Sequence, residues 1–323
     1  MKAPLPLAVI GVGSLGYHHT RIARELPHAR LVGIHDTDQL RAGQVAEQLG
    51  TRAIGDLDEL LQQVDAAIVA VPTSAHAEVA LAALDRGVHL LIEKPIAPTL
   101  AEAERILAAA ASQGLLVAIG HIERFNGAIR ACAEFLDEPR FVESHRLAQF
   151  NPRGTDVAVV LDLMIHDIDL VLSLVNHDVV ATDAVGVPVL TPNVDIANAR
   201  LRFAGGAVAN LTASRVSAER MRKIRIFQRS GYLSIDLARG AGEFYRVRED
   251  LDLERLAAGG GSLQEIVERI EIRGADGEPL RSELEAFVSA VHGTGNGVAT
   301  GSDGRRALAV ALNVLERIDE SWS

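Results

Sequence analysis

Lysine is nearly absent from this chain: three in 323 residues, against 29 arginines. Arginine keeps its proton in a protein, whereas a partly buried lysine can shift its pKa and take part in proton or alkoxide chemistry. A lysine retained in such a background is a candidate for chemistry, and Lys94 is that residue, set in Glu93-Lys94-Pro95 after the apolar run His89-Leu90-Leu91-Ile92. Cysteine is scarcer still. The single Cys132 excludes an internal disulfide framework, and eleven scattered histidines leave no Cys/His zinc spacing, so no metal is expected. Positive charge is in deficit, and the net charge of -11 argues against general nucleic-acid binding, which needs a basic footprint. Small anionic molecules remain open through local arginines. No apolar span of membrane length and no signal-peptide pattern follows Met1-Lys2, so neither membrane nor export is expected and a reducing cytoplasm fits. Internal repeats and low-complexity tracts are missing too.

What is present is ample apolar material, 48 % of the residues, enough for about two domains at this length. Over residues 5–121 short apolar runs alternate with amphipathic stretches, the βα rhythm of a doubly wound parallel sheet. Strands are expected at 5–10, 30–35, 66–71, 89–92 and 116–119, and helices at 15–26, 39–49, 75–85 and 100–113. After about residue 120 the rhythm changes. Helices over 123–135 and 157–174 precede strand-like runs at 198–203, 207–213, 224–228 and 232–237, and Gly205-Gly206 marks a hairpin. The second half is therefore expected to be a mostly antiparallel sheet with helices on one side, an α+β domain over 121–323 following an α/β domain over 1–120. The glycine-punctuated, charged stretch 239–262 is expected as a long loop, and the chain is expected to close with a helix over about 303–319.

Gly11-Val12-Gly13-Ser14-Leu15-Gly16 follows the first strand and opens the first helix. Gly11 permits the tight turn, Gly13 lets backbone N–H groups approach a pyrophosphate at the helix N-terminus, and Gly16 lets helix and strand pack closely. Ser14 and Leu15 complete the loop. Asp36 ends the second strand twenty residues beyond Gly16, where a carboxylate can accept hydrogen bonds from ribose hydroxyls. A carboxylate there repels a 2′-phosphate, which favours NAD over NADP, with Arg41 as the nearest feature on the other side.

Asp162 and His166 are four apart, a spacing that on a regular helix projects both from one face. Histidine is the usual acid or base near neutral pH, and a neighbouring carboxylate orients it. The fingerprint, Pro72-Thr73-Ser74-Ala75-His76, Glu93-Lys94-Pro95, Gly120-His121-Ile122-Glu123-Arg124-Phe125-Asn126 and the Asp162/His166 pair occur in an order that resembles the glucose-fructose oxidoreductase / inositol 2-dehydrogenase (Gfo/Idh/MocA) family across nearly the whole chain. Gly127 departs from it, many members having proline there. The resemblance implies a Rossmann domain followed by an open-faced antiparallel sheet, and hydride exchange between a sugar or polyol carbon and nicotinamide. It assigns Lys94, Asp162 and His166 to catalysis and places Pro72, Thr73, His76, Glu93 and Arg124 in or near the cofactor pocket. It also implies a cis Lys94-Pro95 bond and a homodimer or homotetramer formed through the exposed sheet face.

Within that family the stretch from Arg146 to Leu172 is similar to the nucleotide-sugar branch, including UDP-N-acetylglucosamine 3-dehydrogenases, whose keto product a partner aminotransferase converts. Arg146, Asn151 and Arg153 are the expected substrate-binding residues, the two guanidinium forks suiting diphosphate oxygens. A free sugar or inositol dehydrogenase and a noncatalytic dinucleotide-binding regulator are the alternatives.

Overall fold

Apolar runs of the first half become strands β1 (Leu5–Ile10), β2 (Ala29–His35), β3 (Ala66–Val69), β4 (His89–Glu93) and β5 (Val117–Gly120). This is a computed structural model describing residues 3–151, 157–248, 266–295 and 297–321. Between the strands lie helices α1 (Ser14–Ala23), α2 (Gln39–Leu49), α3 (Leu57–Leu61), α4 (His76–Leu84) and α5 (Leu100–Gln113). Asp38, Asp56 and Thr99 accept backbone N–H bonds at the starts of α2, α3 and α5, while left-handed Gly50 and Gly114 end α2 and α5. The strands pair in parallel in the order β2-β1-β3-β4-β5. β3 and β5 are buried at every position, as a sheet covered on both faces requires. Strand order reverses between β1 and β3, the point where doubly wound sheets open a ligand crevice.

The second half builds an eight-stranded sheet from β6 (Phe141–Leu147), β7 (Val179–Val187), β8 (Ile196–Phe203), β9 (Val208–Ser214), β10 (Met221–Gln228), β11 (Gly231–Asp236), β12 (Ala241–Val247) and β13 (Val267–Arg273). Every pairing is antiparallel except β6 with β9, and β8 and β9 form the hairpin expected at Gly205-Gly206. Burial alternates strictly along β8, so one face is covered and one open. Helix α6 (Gly127–Cys132) packs on β11 to β13, and α7 (Ile165–Val175) on β6 and β9. Phe141, Phe227, Tyr232 and Tyr245 make a row of ring contacts across four strands, the first pair tilted and the next two stacked, with centroids 5.7, 5.3 and 4.7 Å apart in turn.

Three expectations need correction. The stretch 239–262 is not all loop, because its first part is β12; residues 249–262 lie outside the described residues. The expected helix over 123–135 is short α6 flanked by 3₁₀ turns at Ile122–Phe125 and Ala133–Phe135. The one over 157–174 opens with a π turn, Val160–Met164, before α7. Gly127, where the family pattern differs, meets Gly274 backbone to backbone, and a Cβ on either would overlap the other segment.

The chain ends with α8 (Pro279–Val291), β14 (Ala299–Thr300) and α9 (Gly301–Ser321). β14 joins β5 antiparallel at the edge of the first sheet, and Leu284, Phe287 and Val288 share a core with Leu7, Val9 and Ile22. The compact units are accordingly Met1–Ile122 with Gly277–Ala309, and Glu123–Asp276 with Val310–Ser323. Residues 277–309 thus pack with the first unit. Among the described residues, no helix is long and apolar enough to cross a membrane.

Candidate functional site

In the first unit the glycine loop has the geometry its sequence requires. Gly11 has φ +85°, and a Cβ there would stand 2.7 Å from the Ala70 carbonyl; a Cβ on Gly16 would overlap the Gly11 carbonyl oxygen. Gly13 faces open space. Gly13 is also the N-cap of α1, and no Gly13 side chain stands between this helix N-terminus and an anion. Asp36 is locked beside the loop: Oδ2 accepts from the Val12 N–H at 2.7 Å and Oδ1 from the Asp38 N–H at 2.9 Å. Each oxygen keeps a lone pair for a ribose hydroxyl. Arg41 donates from Nε to the Val12 carbonyl at 3.1 Å. Gly11, Gly13, Ser14, Leu15, Asp36 and Pro72 help line a cleft of about 640 Å³. A glycine cradle, an uncapped helix N-terminus and a fixed carboxylate fit a dinucleotide.

At the end of β4, Glu93 is half-buried and accepts from His19 Nε2 at 2.7 Å. The Lys94 N–H reaches its other oxygen at 3.3 Å, and Gly120 leaves it room. Burial alone would raise the Glu93 pKa, but the His19 hydrogen bond and the charges of His19 and Lys94 hold it below the ordinary glutamate value. His19 was not among the expected site residues. Its signal is a histidine in the buried stripe of α1, one turn after Gly16 and next to buried Thr20 and Ile22. Lys94 is half-buried and its bond to Pro95 is cis, as the resemblance implies. Thr73 begins a 3₁₀ turn, and His76 is fully buried, with Nδ1 2.9 Å from the Pro95 carbonyl and Nε2 3.0 Å from that of Val71. Burial lowers its pKa against the pull of those carbonyls, and the ring lies between the segments that follow β3 and β4, its one neutral-form N–H able to serve one carbonyl at a time.

In the second unit α7 gathers the basic residues. Arg124 forks onto Asp169, Nε to Oδ2 at 2.7 Å and Nη2 to Oδ1 at 2.6 Å. Arg146 forks onto Asp167 at 2.7 and 3.1 Å and gives Nη1 to Glu123 at 2.8 Å, and all three are buried. Burial would lower the Arg146 pKa, and the two carboxylates more than offset it. Arg146, expected at a substrate diphosphate, is therefore corrected to an internal ion triad: its fork is already filled. Arg153 lies outside the described residues.

Asp162 sits in the π turn and His166 in the first turn of α7, both half-buried. A π turn widens the ladder, so the alignment expected of a regular i, i+4 pair does not carry over unchanged. Asp162 and Asn151 line a second cleft, of about 610 Å³, with Phe150, Arg220 and Arg222 among its walls. Cys132 is buried and its thiol is pushed up to about 11 by burial, so it stays protonated and inert. Among the described residues no group of three or more His, Cys, Asp or Glu side chains is placed to hold a metal ion.

Comparison with known proteins matches residues 5–121 to the oxidoreductase family with an NAD-binding Rossmann fold and residues 119–234 to the GFO/IDH/MocA C-terminal domain. UDP-N-acetylglucosamine 3-dehydrogenase of Acidithiobacillus ferrooxidans is 38 % identical over 316 residues, 96 % of each chain. A solved structure of that enzyme covers 99 % of both chains with TM-score 0.89 and 36 % identity. Scyllo-inositol dehydrogenase of Lactobacillus casei, solved with NAD(H) and scyllo-inositol, shares the fold with TM-score 0.78 at 20 % identity and 98 % coverage of each chain. The two family matches together cover residues 5–234, taking in both the glycine cradle and most of the one-sided sheet: this chain is a member of the GFO/IDH/MocA family of oxidoreductases.

Proposed function

We propose that this oxidoreductase oxidises the C3 hydroxyl of UDP-N-acetylglucosamine with NAD. The observation that carries the substrate is the likeness to the Acidithiobacillus ferrooxidans enzyme over 96 % of both chains, where inositol dehydrogenases of solved structure share only the fold. NAD over NADP rests on Asp36, whose carboxylate is fixed at the glycine loop and would oppose a 2′-phosphate.

When bound, NAD supplies the hydride acceptor. The protein's own part is proton handling and charge stabilisation. In this reading His166 takes the hydroxyl proton, Asp162 orients and stabilises the imidazolium, and Lys94 donates a hydrogen bond to the developing alkoxide. Glu93, kept ionised by His19, holds the backbone N–H of Lys94. Thr73 and Arg124 remain assigned near the cofactor, and Asn151 near the sugar. The 3-keto product suits a cytoplasmic aminotransferase as the next enzyme. The ring ladder Phe141, Phe227, Tyr232 and Tyr245 on the one-sided sheet supports association into a homodimer or homotetramer, to be read by light scattering.

The test is NADH formation from UDP-N-acetylglucosamine with glutamate and a sugar aminotransferase present to draw off the ketone. Turnover dependent on the nucleotide sugar is expected. Turnover with myo-inositol or a free hexose, and none with the nucleotide sugar, overturns the substrate assignment.

A further inference from the structure

In the second unit, the second cleft gathers two arginines that have no ion pair among the described residues. In this acidic chain most guanidinium groups there are matched: Arg202 with Asp183, Arg225 with Glu143, Arg246 with Glu268, Arg269 with Glu243 and Arg273 with Glu271. Arg215, in the cleft wall, donates to the Val157 carbonyl at 2.7 Å and lies 3.9 Å from Asp195. Arg220 and Arg222 are different. Both are exposed, both line the cleft, and neither makes an ion pair or side-chain hydrogen bond among the described residues.

Their placement follows from the strand. Along β10, Ile224 and Ile226 are buried, which marks the helix-covered face, and Arg222 shares their parity. Arg222 also pairs in register with Arg146, whose side chain turns into that same face toward Asp167. Arg220 precedes the strand by one residue and lines the same cleft. Two guanidinium groups thus line one cavity with no ion-pair partner among the described residues. Phe150 lines the same cleft and leaves 44 % of its surface exposed, an aromatic ring open to a ligand.

We propose that this cleft is a nucleoside-diphosphate subsite in which Arg220 and Arg222 hold the diphosphate and Phe150 stacks on the base. This deepens the proposed function and rests on it for the identity of the sugar. Paired guanidinium groups suit phosphate oxygens, and a ring accepts any nucleobase face. Asp162, the only carboxylate of the lining, is left at the sugar end of the ligand.

The test is a crossed titration of the full-length protein with UDP, uridine and inorganic pyrophosphate. Saturating NADH is present throughout, so that the glycine loop is occupied. Arg220→Ala and Arg222→Ala should each weaken UDP and pyrophosphate at least about tenfold and leave uridine unchanged. Phe150→Ala should weaken UDP and uridine about fivefold or more and leave pyrophosphate unchanged. Unchanged melting temperatures would show that each variant is folded. UDP binding by the arginine variants at wild-type strength overturns the subsite, even where the wild-type protein oxidises UDP-N-acetylglucosamine. Arginine-dependent UDP binding in a protein that oxidises only another nucleotide sugar supports the subsite and overturns the substrate assignment. Failure of the wild-type protein to bind UDP overturns both.

Discussion

The two clefts are built from different materials. In the first unit the loop that meets the ligand presents backbone: glycines without side chains, the N-terminus of α1, and beside it one carboxylate pinned by two peptide N–H bonds. In the second the walls include side chains, Arg222 from β10, Arg220 and Phe150 from the segments beside β10 and β6, and Asp162 from a π turn. A cleft made of backbone suits a ligand that the whole family shares, since backbone cannot vary by substitution. A cleft made of side chains suits a ligand that differs from one branch to the next, because single replacements retune it while the sheet beneath is unchanged.

The largest effect that separates the two regions is chemical. His166→Asn and Lys94→Met should each lower turnover at least about a hundredfold while NADH titrations stay near wild type, since acid-base help and alkoxide stabilisation are each worth that much. Wild-type turnover in either variant would remove its assigned role.

Next in size is a stability effect confined to the second unit. Arg146→Met leaves Glu123 and Asp167 buried without their cation, and urea denaturation should show a loss of about 3–5 kcal/mol. Arg222→Ala, on the same face but exposed, should change stability by no more than about 0.5 kcal/mol. Equal losses would erase the distinction between the internal triad and the cleft.

This contrast also explains what could be read from the bare chain. The glycine loop, Asp36 and the alternating β1 to β5 were legible because each signal is local, a few residues whose spacing has one physical use. Arg146 was misread because its meaning depends on Asp167 and Glu123, more than twenty residues away on either side. Arg220 and Arg222 went unnoticed because the lack of a partner is a property of the folded state alone. β12 resembled a loop for a related reason: Glu243 and Arg246 are charged, and only their cross-strand partners Arg269 and Glu268 make that pattern a strand. Residues 277–309 lack any mark in the sequence showing that Phe287 fills the core beside Leu7.

A smaller effect probes the backbone-built cleft. Asp36→Ala should narrow the proposed preference for NAD over NADP by about tenfold in parallel titrations, because it removes the carboxylate proposed to accept from the ribose hydroxyls and to repel a 2′-phosphate. A preference for NADP in the unmodified protein would refute the role of Asp36.

The smallest effect concerns His19. The Glu93 pKa is lowered in the fold, so this group adds stability above the ordinary glutamate range, and that share is lost as pH falls through the lowered value. His19→Asn should therefore reduce the melting temperature near neutrality, and the gap from wild type should close on acidification. A gap that widens in acid would show that His19 does not act through Glu93.

The return of residues 277–309 into the first unit has a consequence for synthesis. The cofactor-binding module is not contiguous, and its core lacks Leu284 and Phe287 until the ribosome has made nearly the whole chain. At ordinary elongation rates of about 5–20 residues per second, the nascent first half waits roughly ten to thirty seconds with Leu7, Val9 and Ile22 incompletely covered. Anyone wishing to isolate the NAD-binding half must splice 277–309 onto 1–122, because cutting at the end of the last parallel strand removes part of its own interior.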